Sequence, residues 1–170
     1  LKFKNIILIG RRPERLQLAK SYGAKYVIDV SEPIPSCIGE GGGEVIKSKI
    51  LELTNGIGPM AVIDTIGSEE VITQIFDLIA PAGTVVLYGL SGTGLNRFDL
   101  NQIVLKQLTI IGKRESPGLW RETIQAVSQG KIDLTKIITH HVPLGEIASG
   151  INITRNRIAG GIKVVVDIAV

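Results

Sequence analysis

The stretch Lys4–Val30 reads KNIILIGRRPERLQLAKSYGAKYVIDV. Lys4–Gly10 is a short, β-branched-rich apolar run ending in glycine, the pattern of a buried strand. Pro13 suits the first turn of a helix, where its missing N–H would have no helical acceptor. Pro13–Tyr22 then carries Leu16, Ala19 and Tyr22 on one face, and Gly23 is placed to end the helix in the left-handed conformation. Tyr26–Val30 is a second strand. A strand, a helix and a strand joined by short turns make a βαβ unit, whose strands run parallel.

The alternation continues outward. Ser31–Gly43 holds three consecutive glycines and two prolines and reads as a loop. Glu44–Thr54 places Ile46, Ile50 and Leu53 at helical spacing. Ala61–Ile66 is a strand, and Ser68 is set to cap a helix over Glu69–Ile79 with acids in its first turn. Val71, Ile72, Ile75, Phe76 and Ile79 give that helix a wide apolar stripe. Thr84–Gly89 (TVVLYG) is apolar on both faces, as a strand covered on both sides would be. A short helix over Arg97–Gln107 and a strand over Leu108–Gly112 follow. Beyond them, Gly118–Gly130 is a helix with Leu119, Thr123, Ile124 and Val127 inward, Leu144–Arg155 is another, and Ile162–Ile168 closes as a strand. The fold class expected is α/β, a doubly wound parallel sheet of Rossmann type.

Composition narrows the function. The 170 residues are 44% hydrophobic and 21% charged, a core-forming balance, with a net charge of only +3. No basic stripe with stacking aromatics marks a nucleic-acid surface. No apolar run reaches the roughly 20 residues that span a bilayer, so no membrane partner is expected. The one cysteine, Cys37, excludes an internal disulfide and a cysteine-rich zinc site, and suits a cytoplasmic chain.

Six stretches occur in a telling order: PERLQLAKSYGAKYVID (13–29), VIDTIGSEE (62–70), APAGTVVLYGLSG (80–92), LKQLTIIG (105–112), GKIDLTKIITHHVPLGEI (130–147) and GGIKVVVDI (160–168). Together they resemble the medium-chain dehydrogenases of zinc type, the alcohol, sorbitol, butanediol and threonine dehydrogenases. The resemblance implies that residues 1–111 are a partial dinucleotide-binding Rossmann domain and residues 112–170 the C-terminal portion of a GroES-like catalytic domain. A Rossmann unit begins with a strand, a G-x-G-x-x-G turn and a helix. Nothing of the kind precedes Lys4, so the first strand and glycine turn are expected to lie outside this sequence. EGGGE (40–44) follows no strand, and GLSGTG (89–94) has the wrong spacing. The family's catalytic zinc ligands fall in the N-terminal portion too. Zinc is therefore expected in a complete parent with no ligands in this chain, and the chain alone is expected to be inactive.

The resemblance makes the end of the first strand informative. NAD-dependent members place an acid there for the ribose 2′-OH. Here the matching position is Gly10, followed by Arg11, Arg12 and Pro13. Glycine leaves room and guanidinium groups pair with phosphate, so NADP is expected, with Arg12 the first contact and Arg11 the second; NAD is the second choice. Arg15, one helical turn on, adds to the field. Carried over from the family, Thr65, Ile66 and Gly67 lie near the adenosine-side ribose. Gly89, Leu90 and Ser91 lie near the nicotinamide and its carboxamide, Ile111 offers its backbone N–H to the carboxamide, and Lys163 reaches the pyrophosphate.

Other residues invite chemistry and are read as structural. Adjacent His140 and His141 on a strand point to opposite faces and do not share a metal. Asp64, near a strand end, is expected to bond nearby backbone, and Trp120 to pack. The reaction implied for the parent is hydride transfer between nicotinamide and a secondary alcohol or polyol, with a small-molecule substrate and a homo-oligomeric assembly. The alternatives are a zinc-independent quinone or enoyl reductase of the same superfamily, and a non-catalytic nucleotide-binding module.

Overall fold

The computed structural model describes residues 3–31, 42–90, 92, 99–115 and 118–168. Strands and helices alternate as β1 (Ile7–Gly10), α1 (Pro13–Ser21), β2 (Tyr26–Asp29), α2 (Gly42–Leu53), β3 (Ala61–Asp64), α3 (Glu69–Leu78), β4 (Thr84–Leu87), α4 (Asn101–Leu105) and β5 (Thr109–Gly112). Then come α5 (Trp120–Ser128), β6 (Ile138–Pro143), α6 (Ile147–Asn156) and β7 (Lys163–Asp167). Every strand pairing is parallel. The fold is α/β with alternating parallel strands.

Among the described residues the strands pair in three groups: β1-β2, β3-β4-β5 and β6-β7. The chain divides into two compact units, Leu1–Glu32 with Leu119–Val170, and Pro33–Gly118.

In the first unit, Gly23 sits at φ +98 after α1, the left-handed stop that its sequence position demanded. Leu16 of α1 and Ile28 of β2 are buried. Each such side chain contributes roughly 1.5–3 kcal/mol of apolar burial. α5 departs from expectation, since Leu119 and Ile124 are 51% and 64% exposed and Thr123 is exposed as well. Trp120 is 72% exposed and so does not pack as expected. The helical period is present, but no described element covers that face.

The strand β6 was legible only as the setting of the two histidines. It belongs to a βαβ unit of its own, with α6 as the crossover to β7. Gly150 is what lets α6 lie down. A Cβ there would stand 2.9 Å from Val142 Cγ2 and 3.2 Å from Val164 Cγ1. Gly150→Leu should therefore lower stability by about 3 kcal/mol, overpacking outweighing the gain in helix propensity. A urea titration reads this as a lowered midpoint at unchanged slope. An unmoved midpoint would mean that α6 is not seated at Gly150.

In the second unit, Val85 of the central strand β4 is fully buried, and Ile72, Phe76, Leu78 and Ile79 bring α3 onto the same core. The Ser68 hydroxyl caps α3 by accepting from Val71 N at 3.4 Å. At the other end, Lys106 Nζ donates to the carbonyls of Phe76 (2.5 Å) and Asp77 (3.0 Å), a cation at the negative end of the helix. No helix among the described residues is long and apolar enough to cross a membrane.

Candidate cofactor site

The first unit presents Gly10, Arg11 and Arg12 at the carboxyl end of β1. Gly10 is half-buried, and a Cβ there would lie 3.3 Å from Leu16 Cδ2, so glycine allows α1 to start close to the strand. Arg11 is exposed. Arg12 is the residue before α1, extended at φ −121 and ψ 109, and no side chain caps the helix there. The first-turn N–H groups of α1 are therefore open to an acceptor from outside the chain.

Arg12 does not wave in solvent. Its Nη2 donates to the carbonyl of Gly161 at 2.8 Å, a partly buried bond between distant parts of the sequence. That carbonyl belongs to the turn from Arg157 to Gly161, in which Arg157, Ala159 and Gly160 all have positive φ (56, 50 and 69). A Cβ on Gly160 would lie 3.7 Å from Glu14 Cγ, so the turn rests on the first turn of α1. The Arg15 guanidinium there holds its proton less tightly than usual, first because of burial and then because of the positive charges of Arg12 and Arg157. None of these arginines forms an ion pair among the described residues. Lys163 opens β7 just after this turn and is exposed.

On the neighbouring strand, Asp29 lies in register with Gly10. Its Oδ1 accepts from Ser31 N at 2.8 Å. The Ser31 hydroxyl first, and its backbone N–H second, hold the Asp29 carboxyl below the usual carboxylate range.

The second unit has a group of its own. Asp64↔Leu87 and Leu87↔Gly112 are in register, so the loops after β3 and β4 leave the sheet at one carboxyl edge. Asp64 is 3% exposed. Its Oδ1 accepts from Ile66 N (3.0 Å) and Gly67 N (3.2 Å), the backbone role expected for it. Its own carbonyl accepts from Tyr88 N (2.9 Å) and Gly89 N (3.1 Å). The other carboxylate oxygen, Oδ2, has no hydrogen-bond partner among the described residues.

Through Asp64 the two loops are tied together. Gly67 and Gly89 are where they touch. A Cβ on Gly67, whose φ is +80, would lie 2.7 Å from Gly89 C and Leu90 N. One on Gly89 would collide with the backbone of Ile66 and Gly67. Beside this contact, Ile66 and Leu90 expose 61% and 73% of their surface, and Thr65 is exposed too. Ile111 is half-buried inside β5, opposite Val86. Ser91 lies outside the described residues.

The structure therefore brings Thr65–Gly67 together with Gly89–Leu90, and Arg12 together with the turn before Lys163. Sequence reasoning missed that turn. Its only local signal was the spacing Arg155-Asn156-Arg157 before Gly160-Gly161; the bond from Arg12 to Gly161 has no signal at all. No three His, Cys, Asp or Glu side chains among the described residues converge as metal ligands. His141 Nδ1 instead meets Asp167 Oδ1 at 3.1 Å, on the surface.

Parallel strands with helical crossovers, and glycine-lined loops at a carboxyl edge, define an α/β protein of Rossmann-like type. Residues 1–129 match the family described as zinc-binding dehydrogenase, and the chain belongs to that family. L-threonine 3-dehydrogenase of Bacillus subtilis is 29% identical over 157 residues, covering 91% of this chain and 42% of that protein. Sorbitol dehydrogenase of Halalkalibacterium halodurans is 26% identical over 133 residues, covering 78% of this chain and 36% of the relative. Among solved structures, an alcohol dehydrogenase from E. coli complexed with NADH superposes with a TM-score of 0.80 at 27% identity. It covers 97% of this chain and 45% of that one. Benzyl alcohol dehydrogenase from Acinetobacter calcoaceticus gives a TM-score of 0.76 at 27% identity, covering 97% of this chain and 43% of its own. The chain spans less than half the length of these relatives.

Proposed function

We propose that the chain is the cofactor-holding part of an NADP-dependent dehydrogenase that interconverts a secondary alcohol or polyol and its ketone. The observation that carries the cofactor choice is the end of β1. Gly10 stands where an acid would receive a ribose 2′-OH, and Arg12 follows it with one N–H fixed on Gly161. A guanidinium has several donors in a rigid fork, so the bond to Gly161 aims the group and leaves donors for a phosphate. Arg11, exposed beside it, is the second contact.

In the second unit, taken by itself, Thr65–Gly67 with Gly89 and Leu90 keep their family-derived roles as ribose and nicotinamide contacts. Ser91, Ile111 and Lys163 keep their family-derived roles as proposals. On this reading residues 112–170 belong with the family's catalytic domain and residues 1–111 with its Rossmann domain. The nicotinamide supplies the hydride chemistry when bound. This chain's residues bind and orient the adenosine phosphate. Zinc would polarise the alcohol oxygen in a complete parent; the described residues offer no ligand set for it.

NAD is the second reading, and one observation favours it. Asp29, ionised and in register with Gly10, could accept from a ribose hydroxyl. Calorimetry with NADPH and NADH separates the two. NADPH is expected to bind the tighter, and Arg12→Ala to cost NADPH roughly 10- to 100-fold while leaving NADH nearly unchanged, the range of one or two hydrogen bonds to a charged group. Equal affinities, or NADH preference, would move the assignment to NAD.

A further inference from the structure

We propose that Arg157 is a specificity-determining residue for the 2′-phosphate of the dinucleotide, presented by the strained turn Arg157–Gly161 against the start of α1. The proposal rests on the NADP reading above and adds to it a residue from far along the chain. A phosphate monoester carries a charge of about −1.5 to −2 near neutral pH. One guanidinium does not neutralise it. The first unit assembles more than one: Arg12 just before α1, Arg15 in its first turn, and Arg157 on the turn that α1 supports.

Three observations place Arg157 in this group. Arg12 Nη2 is bonded to the Gly161 carbonyl at the turn's far end. Gly160 lies over the Glu14 side chain, so the turn is seated on the first turn of α1. The field of Arg157 is felt at Arg15, together with that of Arg12. Like charges gathered without a carboxylate partner among the described residues repel one another. A fold tolerates that where an anion completes the group.

The backbone carries the same message. Arg157 ends α6 in the left-handed region at φ 56, and Ala159 adopts φ 50 two steps later. Asparagine or glycine would take those conformations at lower cost. Here an arginine and an alanine hold them, at the expense of local strain. The same turn also fixes Arg12 through its carbonyl. Arg157 thereby contributes a charge, and its turn orients the first phosphate contact. Glu14, whose side chain lies under Gly160, contributes its methylene stem and makes no ion pair with these arginines.

The test uses the full chain and two probes, adenosine 2′,5′-bisphosphate and adenosine 5′-monophosphate, by calorimetry. Wild type should prefer the 2′-phosphorylated probe. Arg157→Gln should weaken it about tenfold and leave adenosine 5′-monophosphate within twofold, and Arg157→Lys should recover most of the loss. A variant that merely disturbed the turn would weaken both probes alike, and that outcome overturns the proposal. So does an Arg157→Gln protein with undiminished preference while Arg12→Ala loses it, which would leave the NADP reading intact. A wild type without preference for the 2′-phosphorylated probe, or binding neither, would bring down the NADP reading itself and this proposal with it.

Discussion

Gly89→Ala is expected to destabilise the protein by about 4 kcal/mol and to lower its melting temperature by roughly 10 °C. The cost is steric and nothing else. Gly89 has no positive φ, so an alanine would be at ease in its backbone conformation. Its new methyl group, however, would run into the N and C atoms of Ile66 and the N of Gly67. Those are backbone atoms, pinned by the bonds from Ile66 N and Gly67 N to Asp64 and from Gly89 N to the Asp64 carbonyl. A side chain could swing aside; this contact must part. Gly112→Ala supplies the control, because a Cβ at the end of β5 meets nothing within 4 Å. It should shift the melting temperature by no more than a degree or two. Gly67→Ala adds a positive φ of +80 to a collision with Gly89 and Leu90, and should be comparably damaging. The double variant should cost less than the two singles together, since one opened contact accommodates both methyl groups. Additive losses, or a mild Gly89→Ala, would show that the two loops do not touch in solution.

Local chemistry explains how much of this was legible. The βαβ rhythm, the stop at Gly23, the Ser68 cap and the apolar stripe of α3 are each written within a few consecutive residues, and they appear where the sequence placed them. Strand ends were read too long, because β-branched residues such as Ile66 continue the apolar pattern after the ladder has ended at Asp64. The helix beginning at Trp120 shows the limit of periodicity. Leu119 and Ile124 are spaced for a core that the described residues do not supply, and period says only that a face is apolar, not what covers it. In the candidate site, the arginines after Gly10 could be seen because charge next to a strand end is a local signal. The carbonyl of Gly161 that fixes Arg12 could not. A backbone oxygen is present at every residue, and only the packing of the turn onto α1 selects this one.

The second large effect is expected at Asp64, where Asn and Leu should part company. Asp64→Leu should cost about 3 kcal/mol; Asp64→Asn should stay within about 1 kcal/mol of wild type. Both bonds that close the turn after β3 go to one atom, Oδ1, from Ile66 N and Gly67 N. A neutral amide oxygen can accept both. Leucine accepts neither, and it strands the buried N–H of Gly67 without a partner, a penalty of roughly 1–3 kcal/mol before packing is counted. The Ile66 N–H, at a more exposed residue, can turn to water and adds less. What the negative charge itself does is then read from the asparagine. The carboxylate oxygen Oδ2 is buried with no partner among the described residues, and a buried charge in that position earns nothing unless something answers it. If asparagine is as damaging as leucine in a denaturant titration, the charge is answered, and Oδ2 is bonded by a group beyond the described residues. If asparagine holds, Asp64 serves as a geometric clamp. The clamp then joins the loops after β3 and β4 by two bonds to a side-chain oxygen and two to a carbonyl, and so holds Gly67 and Gly89 in backbone contact at the sheet's carboxyl edge.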